Sequence, residues 1–284
     1  MDVIIIGNGP AGISASLYVA RAGLTALVIG KDMGTLRKAE KIENYYGFVD
    51  GITGEELAKN GIEQAKRLGV EFAHKEVVDI SFDEMYNVKT SDGDYLAKAV
   101  IIATGTQRMA PKINGLKDFE GRGVSYCATC DGFFYKKKDV AVIGSKEYAL
   151  HEATELSGIA NSVTLLTDGE PAPENIPTEI AVNTKKISEL AGETKLECVV
   201  FEDGTTLTIR GAFIAFGSAG STALATKLGA VVNGNKIAVD ENMSTNLPGL
   251  YAAGDCTGGM YQVAKAVYEG ARAGMEAAKF VRSK

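Results

Sequence analysis

The most constraining stretch of this chain is its first thirty residues, VIIIGNGPAG followed by a short helix pattern and a second apolar run. Val3–Ile6 is a continuous apolar strand, and Gly7, Gly9 and Gly12 follow it in G-x-G-x-x-G spacing. Ser14–Ala22 has helical apolar periodicity, Gly23 closes it, and Ala26–Ile29 is a second strand. A strand, a glycine turn and a helix in this order form a dinucleotide-binding βαβ unit. The first glycine permits the tight turn, the second lets a pyrophosphate approach the backbone, and the third lets helix and strand pack closely. The helix N-terminus then faces the anion. An acid often ends the second strand to bind a ribose. Gly30 stands there instead, with Asp32 two residues on.

The remaining pattern predicts a second unit nested in the first. An amphipathic helix is expected over 54–68, and strands over 70–74, 76–80, 86–90, 95–97 and 99–103. The run 110–116, APKINGL, reads as a linker. Val140–Ile143 then restarts the opening theme as VAVIGSKEYA, with a helix over 147–158 and a strand over 163–166. Antiparallel strands are expected near 196–201 and 206–210, ahead of 212–216. From about residue 240 the first domain resumes, with a strand at 250–253 and a long helix over 262–281. The expected fold class is therefore α/β, with two Rossmann-like domains. The first is discontinuous (1–110 and 240–284), and the second (111–239) is a degenerate nucleotide-binding fold carrying a C-x-x-C.

The net charge of −6 and the absence of a Lys/Arg-dense arm argue against a nucleic-acid partner. No apolar run approaches the length of a membrane helix, and Val3–Ile6 is too short for a signal core. A soluble, cytoplasmic chain is expected. Two of the four cysteines, Cys127 and Cys130, are spaced C-x-x-C, which in a cytosolic chain points to redox or metal chemistry. Cysteines at i and i+3 close a strained small disulfide, and the first, at a helix start, attacks as thiolate. Adjacent Asp131 is placed to manage the proton. Half a zinc site would need two further ligands. Cys198, Cys256, His74 and His151 have no ligand spacing, so no metal is expected. Cys198 reads as a core residue, and Cys256 as a small side chain after a tight turn.

GNGPAG (7–12), ATGT (103–106), CATCDG (127–132) and LYAAGDC (250–256) occur in this order and resemble the low-molecular-weight thioredoxin reductases over nearly the whole chain. The resemblance implies FAD in the first domain, with Gly7, Gly9, Pro10, Ala11 and Gly12 at its pyrophosphate. It also implies Ala103, Thr104 and Gly105 beside the cofactor, Gly254 and Asp255 at its ribitol, and Asn44 and Gln262 near the flavin ring. The arginine usual before that glutamine is Tyr261 here. By the same resemblance Cys130 takes electrons from the flavin, Cys127 attacks the disulfide of thioredoxin, and the chain forms a homodimer.

In the ordinary reductase the second domain holds NADPH with a second glycine fingerprint and a basic cluster after its second strand. Here the fingerprint is GSKEYA. Gly144 and Ala149 are kept, while Lys146 stands where glycine lets a phosphate close. After residues 163–166 the chain reads TDGEPAP, with Asp168 and Glu170 and no arginine, so a phosphate would be repelled. The chain is also short for the family. These departures resemble the ferredoxin-dependent flavin thioredoxin reductases, which implies ferredoxin as electron donor, with Lys136–Lys138 a candidate docking face. The alternatives are an NAD(P)H-dependent reductase with an atypical pocket, in which Asp168 takes a ribose hydroxyl; a diflavin disulfide oxidoreductase; and a non-catalytic flavoprotein sensor.

Overall fold

The structure is a computed structural model that describes the chain except for residues 32, 33, 35, 106–111, 127 and 217–219 and the side chains of Thr129 and Cys130. It divides into two compact units, Met1–Gln107 with Gly220–Lys284, and Arg108–Ala219. Among the described residues no helix is long and apolar enough to cross a membrane.

The first unit opens with β1 (Val3–Ile6), α1 (Pro10–Arg21) and β2 (Ala26–Ile29). All four residues of β1 and all four of β2 are buried, as a strand covered on both faces requires. The helix begins at Pro10, four residues before the periodicity suggests, because proline at the first helical position has its φ already set and needs no N–H partner. Next come α2 (Gly54–Arg67), β3 (Glu71–Ala73), the meander β4 (Val77–Asp83), β5 (Met85–Thr90) and β6 (Gly93–Ala97), and β7 (Ala99–Ile102). The Thr53 side chain caps α2 by accepting the Glu56 N–H.

The second unit contains β8 (Val124–Ser125), α3 (Ala128–Asp131), β9 (Asp139–Ile143), α4 (Glu147–Ser157), β10 (Ser162–Leu166) and β11 (Ile180–Asn183). It continues with β12 (Ile187–Ala191), β13 (Cys198–Phe201), β14 (Thr206–Thr208) and β15 (Gly211–Ile214). The chain returns to the first unit through α5 (Ser221–Lys227), the hairpin β16 (Val232–Asn233) and β17 (Lys236–Ile237), β18 (Leu250–Ala252) and α6 (Val263–Arg282).

Each unit is built on a parallel five-stranded sheet, β18-β7-β1-β2-β3 in the first and β11-β10-β9-β15-β8 in the second. Each also carries a three-stranded antiparallel sheet, β4-β5-β6 and β12-β13-β14 respectively. The expected α/β architecture with two Rossmann-like domains is present. The return into the first unit falls at Gly220, not near 240. Its physical reason is α5: the Lys227 ammonium, almost fully buried, pairs with Asp79 of β4 at 3.1 Å and fastens the helix to the first unit. Cys198 also departs from expectation. In β13 the core positions are Val199 and Phe201, while Cys198 and Val200 are half-buried. The alternation runs in the opposite phase, and a one-residue shift moves every side chain to the other face.

The packing that positions the cofactor loop is between α1 and α6. A Cβ built on Gly270 would lie 2.0 Å from the Ala11 carbonyl oxygen, and one on Gly274 2.4 Å from that of Ala15. The two backbones touch with no side chain between them. A Gly270→Ala substitution is expected to cost about 1–3 kcal/mol by overpacking and to lower the thermal midpoint by several degrees. Gly158→Ala, where a Cβ meets nothing within 4 Å, is the control expected to leave the midpoint unchanged or slightly raised. Calorimetry of the two variants checks this.

Candidate functional site

In the first unit Ile6 of β1 lies opposite Ile102 of β7, which lies opposite Ala252 of β18. Three loops therefore leave the carboxyl edge of the sheet at one level, beginning at residues 7, 103 and 253. In an open α/β sheet this edge, where the strand order reverses about β1, is where ligands bind. The glycines divide by role. A Cβ on Gly7, whose φ is +113°, would fall 2.3 Å from the Ala103 carbonyl oxygen, and one on Gly12 1.8 Å from that of Gly7. Both are glycine because protein fills the space. A Cβ on Gly9 would meet nothing within 4 Å. The room at the cap of α1 is open, and no side chain caps this helix, nor is there an acid in its first turn. That is a cradle for an anion, and a side chain at residue 9 would occupy it.

Asp255 follows β18 on a turn held by two charged residues of α6. Lys265 donates from Nζ to the Gly254 carbonyl at 2.7 Å and to Thr257 Oγ1 at 2.9 Å. Glu269 Oε2 accepts from the Gly254 N–H and from Thr257 Oγ1, both at 2.8 Å, and pairs with Lys265 at 2.9 Å. Burial pushes the Asp255 carboxyl above its usual range, an effect that Lys265 offsets and Glu269 reinforces. At α6's start, Asn44 Nδ2 donates to Gln262 Oε1 at 2.9 Å, so the two residues expected near the flavin ring are brought together. Tyr261 is exposed. Beside Asn8 and Gly30 a cleft of about 580 Å³ opens, lined also by Lys59, Glu63, Phe72 and His74. Lys31 is ion-paired with the buried Glu76, and Asp32 lies outside the described residues. Gly7–Gly12, Ala103–Gly105 and Gly254–Asp255 thus converge at one edge of the sheet, and the open room at Gly9 fits a phosphate-bearing group such as FAD.

Cys256 is fully buried, and burial pushes its thiol up to about 12. Its Sγ donates to the Ile102 and Ala253 carbonyls at 3.4 and 3.3 Å. It is a structural residue, as its small size after a tight turn suggests.

In the second unit Cys127 lies outside the described residues, and Cys130 is in the α3 turn with its side chain undescribed. Asp131 Oδ2 accepts the Ser125 hydroxyl at 2.7 Å. Directly after α3, Phe133 and Phe134 are 74% and 68% exposed. Lys136, Lys137 and Lys138 are exposed too, with Lys138 bonded to the Phe134 carbonyl and set over the Tyr135 ring.

The second glycine loop differs from the first as its sequence suggests. A Cβ on Gly144 would lie 2.2 Å from the Ala215 carbonyl oxygen and 2.8 Å from the Ala149 Cβ, so the close helix–strand contact is kept. The cap of α4 is Lys146, and Glu147 puts an acid in its first turn. After β10, Asp168 Oδ1 accepts the Ile187 N–H at 2.8 Å, which ties it to the start of β12. Sequence reasoning missed Lys186. Its stem lies against Gly169, with Cγ 2.8 Å from a Cβ built there, so a cation does stand near the end of β10. It also missed the Lys265–Glu269 pair, which the i,i+4 spacing in a long helix signals.

A flavin-holding α/β fold with a C-x-x-C in its nested unit defines a disulfide oxidoreductase. Residues 1–270 match the family described as pyridine nucleotide-disulphide oxidoreductase. The thioredoxin reductase of Listeria monocytogenes is 36% identical over 99% of this chain and 93% of its own. The solved structure of the atypical thioredoxin reductase TRi from Desulfovibrio vulgaris Hildenborough shares 40% identity, covers 100% of this chain and 98% of its own, and superposes with a TM-score of 0.93. A ferredoxin-flavin thioredoxin reductase from Clostridium acetobutylicum shares 33% identity over 100% of this chain and 98% of its own, with a TM-score of 0.74. The chain belongs to the thioredoxin reductase branch of the pyridine nucleotide-disulphide oxidoreductases, a family of FAD-binding flavoproteins.

Two outcomes follow. Lys265→Met frees the Gly254–Thr257 turn and leaves Glu269 without its cation, and the loss of bonds to a charged group is expected to weaken FAD binding roughly ten- to a hundredfold; reconstituting the apoprotein with FAD and reading the flavin absorbance measures it. Cys256 is expected to resist iodoacetamide at neutral pH until the protein is unfolded, as mass spectrometry of the alkylated protein will show.

Proposed function

We propose that this protein reduces the disulfide of thioredoxin through FAD and the Cys127–Cys130 pair, with electrons from reduced ferredoxin and not from NADPH. The observation that carries the donor assignment is the start of α4. Lys146 caps it and Glu147 occupies its first turn, where the start of α1 has an open cap and no acid. On this reading the start of α1 takes a pyrophosphate and the start of α4 does not. Similarity to a protein named for ferredoxin and flavin supports the reading.

FAD, when bound, supplies two-electron exchange with a disulfide and one-electron exchange with a docked carrier. Gly7–Gly12 and the start of α1 would hold its phosphates, Asp255 would hold its ribitol, and Asn44 and Gln262 would lie near its ring. The Cys127–Cys130 disulfide takes up two electrons and two protons and becomes a dithiol. Cys127 then attacks one sulfur of the thioredoxin disulfide, and Cys130 displaces it from the mixed disulfide, so the pair re-forms its bond and the partner leaves as a dithiol. Asp131, oriented by Ser125, passes the protons. Exposed Phe133 and Phe134 give the partner an apolar anchor beside the cysteines, and Lys136–Lys138 a basic rim for an acidic donor. The reading includes a cytoplasmic homodimer.

A specific observation favours a second reading. Lys186 beside Gly169 sets a cation where an NADPH-dependent enzyme would hold the 2′-phosphate. Anaerobic mixing of the FAD-loaded protein with reduced ferredoxin and oxidised thioredoxin, without pyridine nucleotide, is expected to yield one dithiol for every two ferredoxins oxidised. Cys127→Ser or Cys130→Ser is expected to lower this rate by on the order of 10⁴-fold. Rapid bleaching of the flavin by NADPH or NADH alone, with none by ferredoxin, selects the second reading.

A further inference from the structure

Glu152 is a buried carboxyl that none of these steps uses. It is 1% exposed, on the face of α4 that also buries Tyr148, Ala149, Ala153 and Leu156. Burying an acid among apolar side chains is costly unless hydrogen bonds compensate it. One such bond is specific: the Ala128 N–H donates to Glu152 Oε2 at 2.7 Å. Ala128 is itself 1% exposed and is the first residue of α3, peptide-bonded to Cys127 and two residues from Cys130. Water reaches neither end of this bond.

We propose that Glu152 is a positioning residue for the redox pair, and that through its bond to the Ala128 N–H it sets the reducing power of the Cys127–Cys130 disulfide. This rests on the assignment of that pair as the redox centre. The first N–H groups of a helical turn are the donors that stabilise a thiolate at its start. A dithiol stabilised in that way is a weaker reductant. Glu152 takes the Ala128 donor out of service and ties the turn between the cysteines to α4. It thereby keeps the dithiol form less stable and the pair strongly reducing, as delivery of electrons to a partner disulfide requires. The helix that in a nucleotide-binding unit points its start at a ligand here also grips the redox turn by its second coil.

The test equilibrates the FAD-loaded protein anaerobically, at one neutral pH, with mixtures of reduced and oxidised dithiothreitol. The dithiol fraction of the peptide containing Cys127 and Cys130 is read by alkylation and mass spectrometry. Glu152→Leu removes the acceptor. Glu152→Asp keeps the carboxylate but draws it back by about one C–C bond, 1.5 Å, and guards against a Leu variant that fails to fold. Glu152→Gln keeps an acceptor oxygen at full reach. Leu and Asp are expected to favour the dithiol about tenfold, which is about 30 mV for a two-electron couple, with Gln staying at the wild-type value. A wild-type value for Asp, or an equal shift in Gln and Asp, overturns the proposal. A wild-type protein in which Cys127 and Cys130 never exchange with the buffer instead overturns the redox-pair assignment, so the two failures are told apart.

Discussion

The first unit depends on backbone meeting backbone at the first turn of α1. Gly12 lets that turn lie against Gly7, Gly7 lets the loop lie against Ala103, and Gly270 lets α6 lie against Ala11. Gly254 closes the set, since a Cβ there would come 2.9 Å from the Ala11 Cβ. Three segments distant in sequence, at Ala103, Gly254 and Gly270, are thus brought within van der Waals reach of the loop and helical turn of residues 7–12. Close contact of this kind tolerates almost no added volume. It also fixes where the N–H groups of α1 point, and therefore where an anion can sit. The cofactor site is in this sense a by-product of packing, refined by Lys265 and Glu269 through the turn that carries Asp255.

The second unit keeps the packing of the first and differs from it in the charges at the start of its helix. Gly144 and Ala149 preserve the contact between helix and strand, and β9 and β10 pair in the same register logic as β1 and β2. What differs is charge and bulk at the mouth: a lysine at the cap of α4 and an acid in its first turn. A fold does not by itself fix a ligand. The sheet needs the glycine that lets strand and helix touch, whereas the phosphate needs the one that leaves room.

Much of this could be read from the residues because the strongest signals are local. Val3–Ile6 with three spaced glycines leaves one reasonable structure, and β1, β2, β7, β9, α2 and α6 fall within a few residues of where periodicity puts them. What escaped is set by distant partners. The seven residues of α5 carry too little period to mark a helix, and their allegiance to the first unit comes from Lys227 meeting Asp79 far back in the chain. Strand β11 has one buried residue of four, so nothing in its sequence marks a parallel edge strand. Cys198 alternates with apolar neighbours in either phase, and only the pairing of β13 with β12 and β14 decides which face is inside. Glu152 was visible as an acid in an apolar stripe, but its target is a backbone N–H on another element.

The nesting of one unit inside the other has a consequence for biosynthesis. The inserted unit is contiguous, Arg108–Ala219, and emerges from the ribosome whole, free to fold as translation proceeds. The outer sheet must wait: its edge strand β18 and the helix packed beneath Ala11 are made only after the inserted unit. The first unit's sheet is therefore completed only after the inserted unit has left the ribosome, and a polypeptide stalled before residue 250 carries Cys127 and Cys130 with an outer sheet that lacks β18.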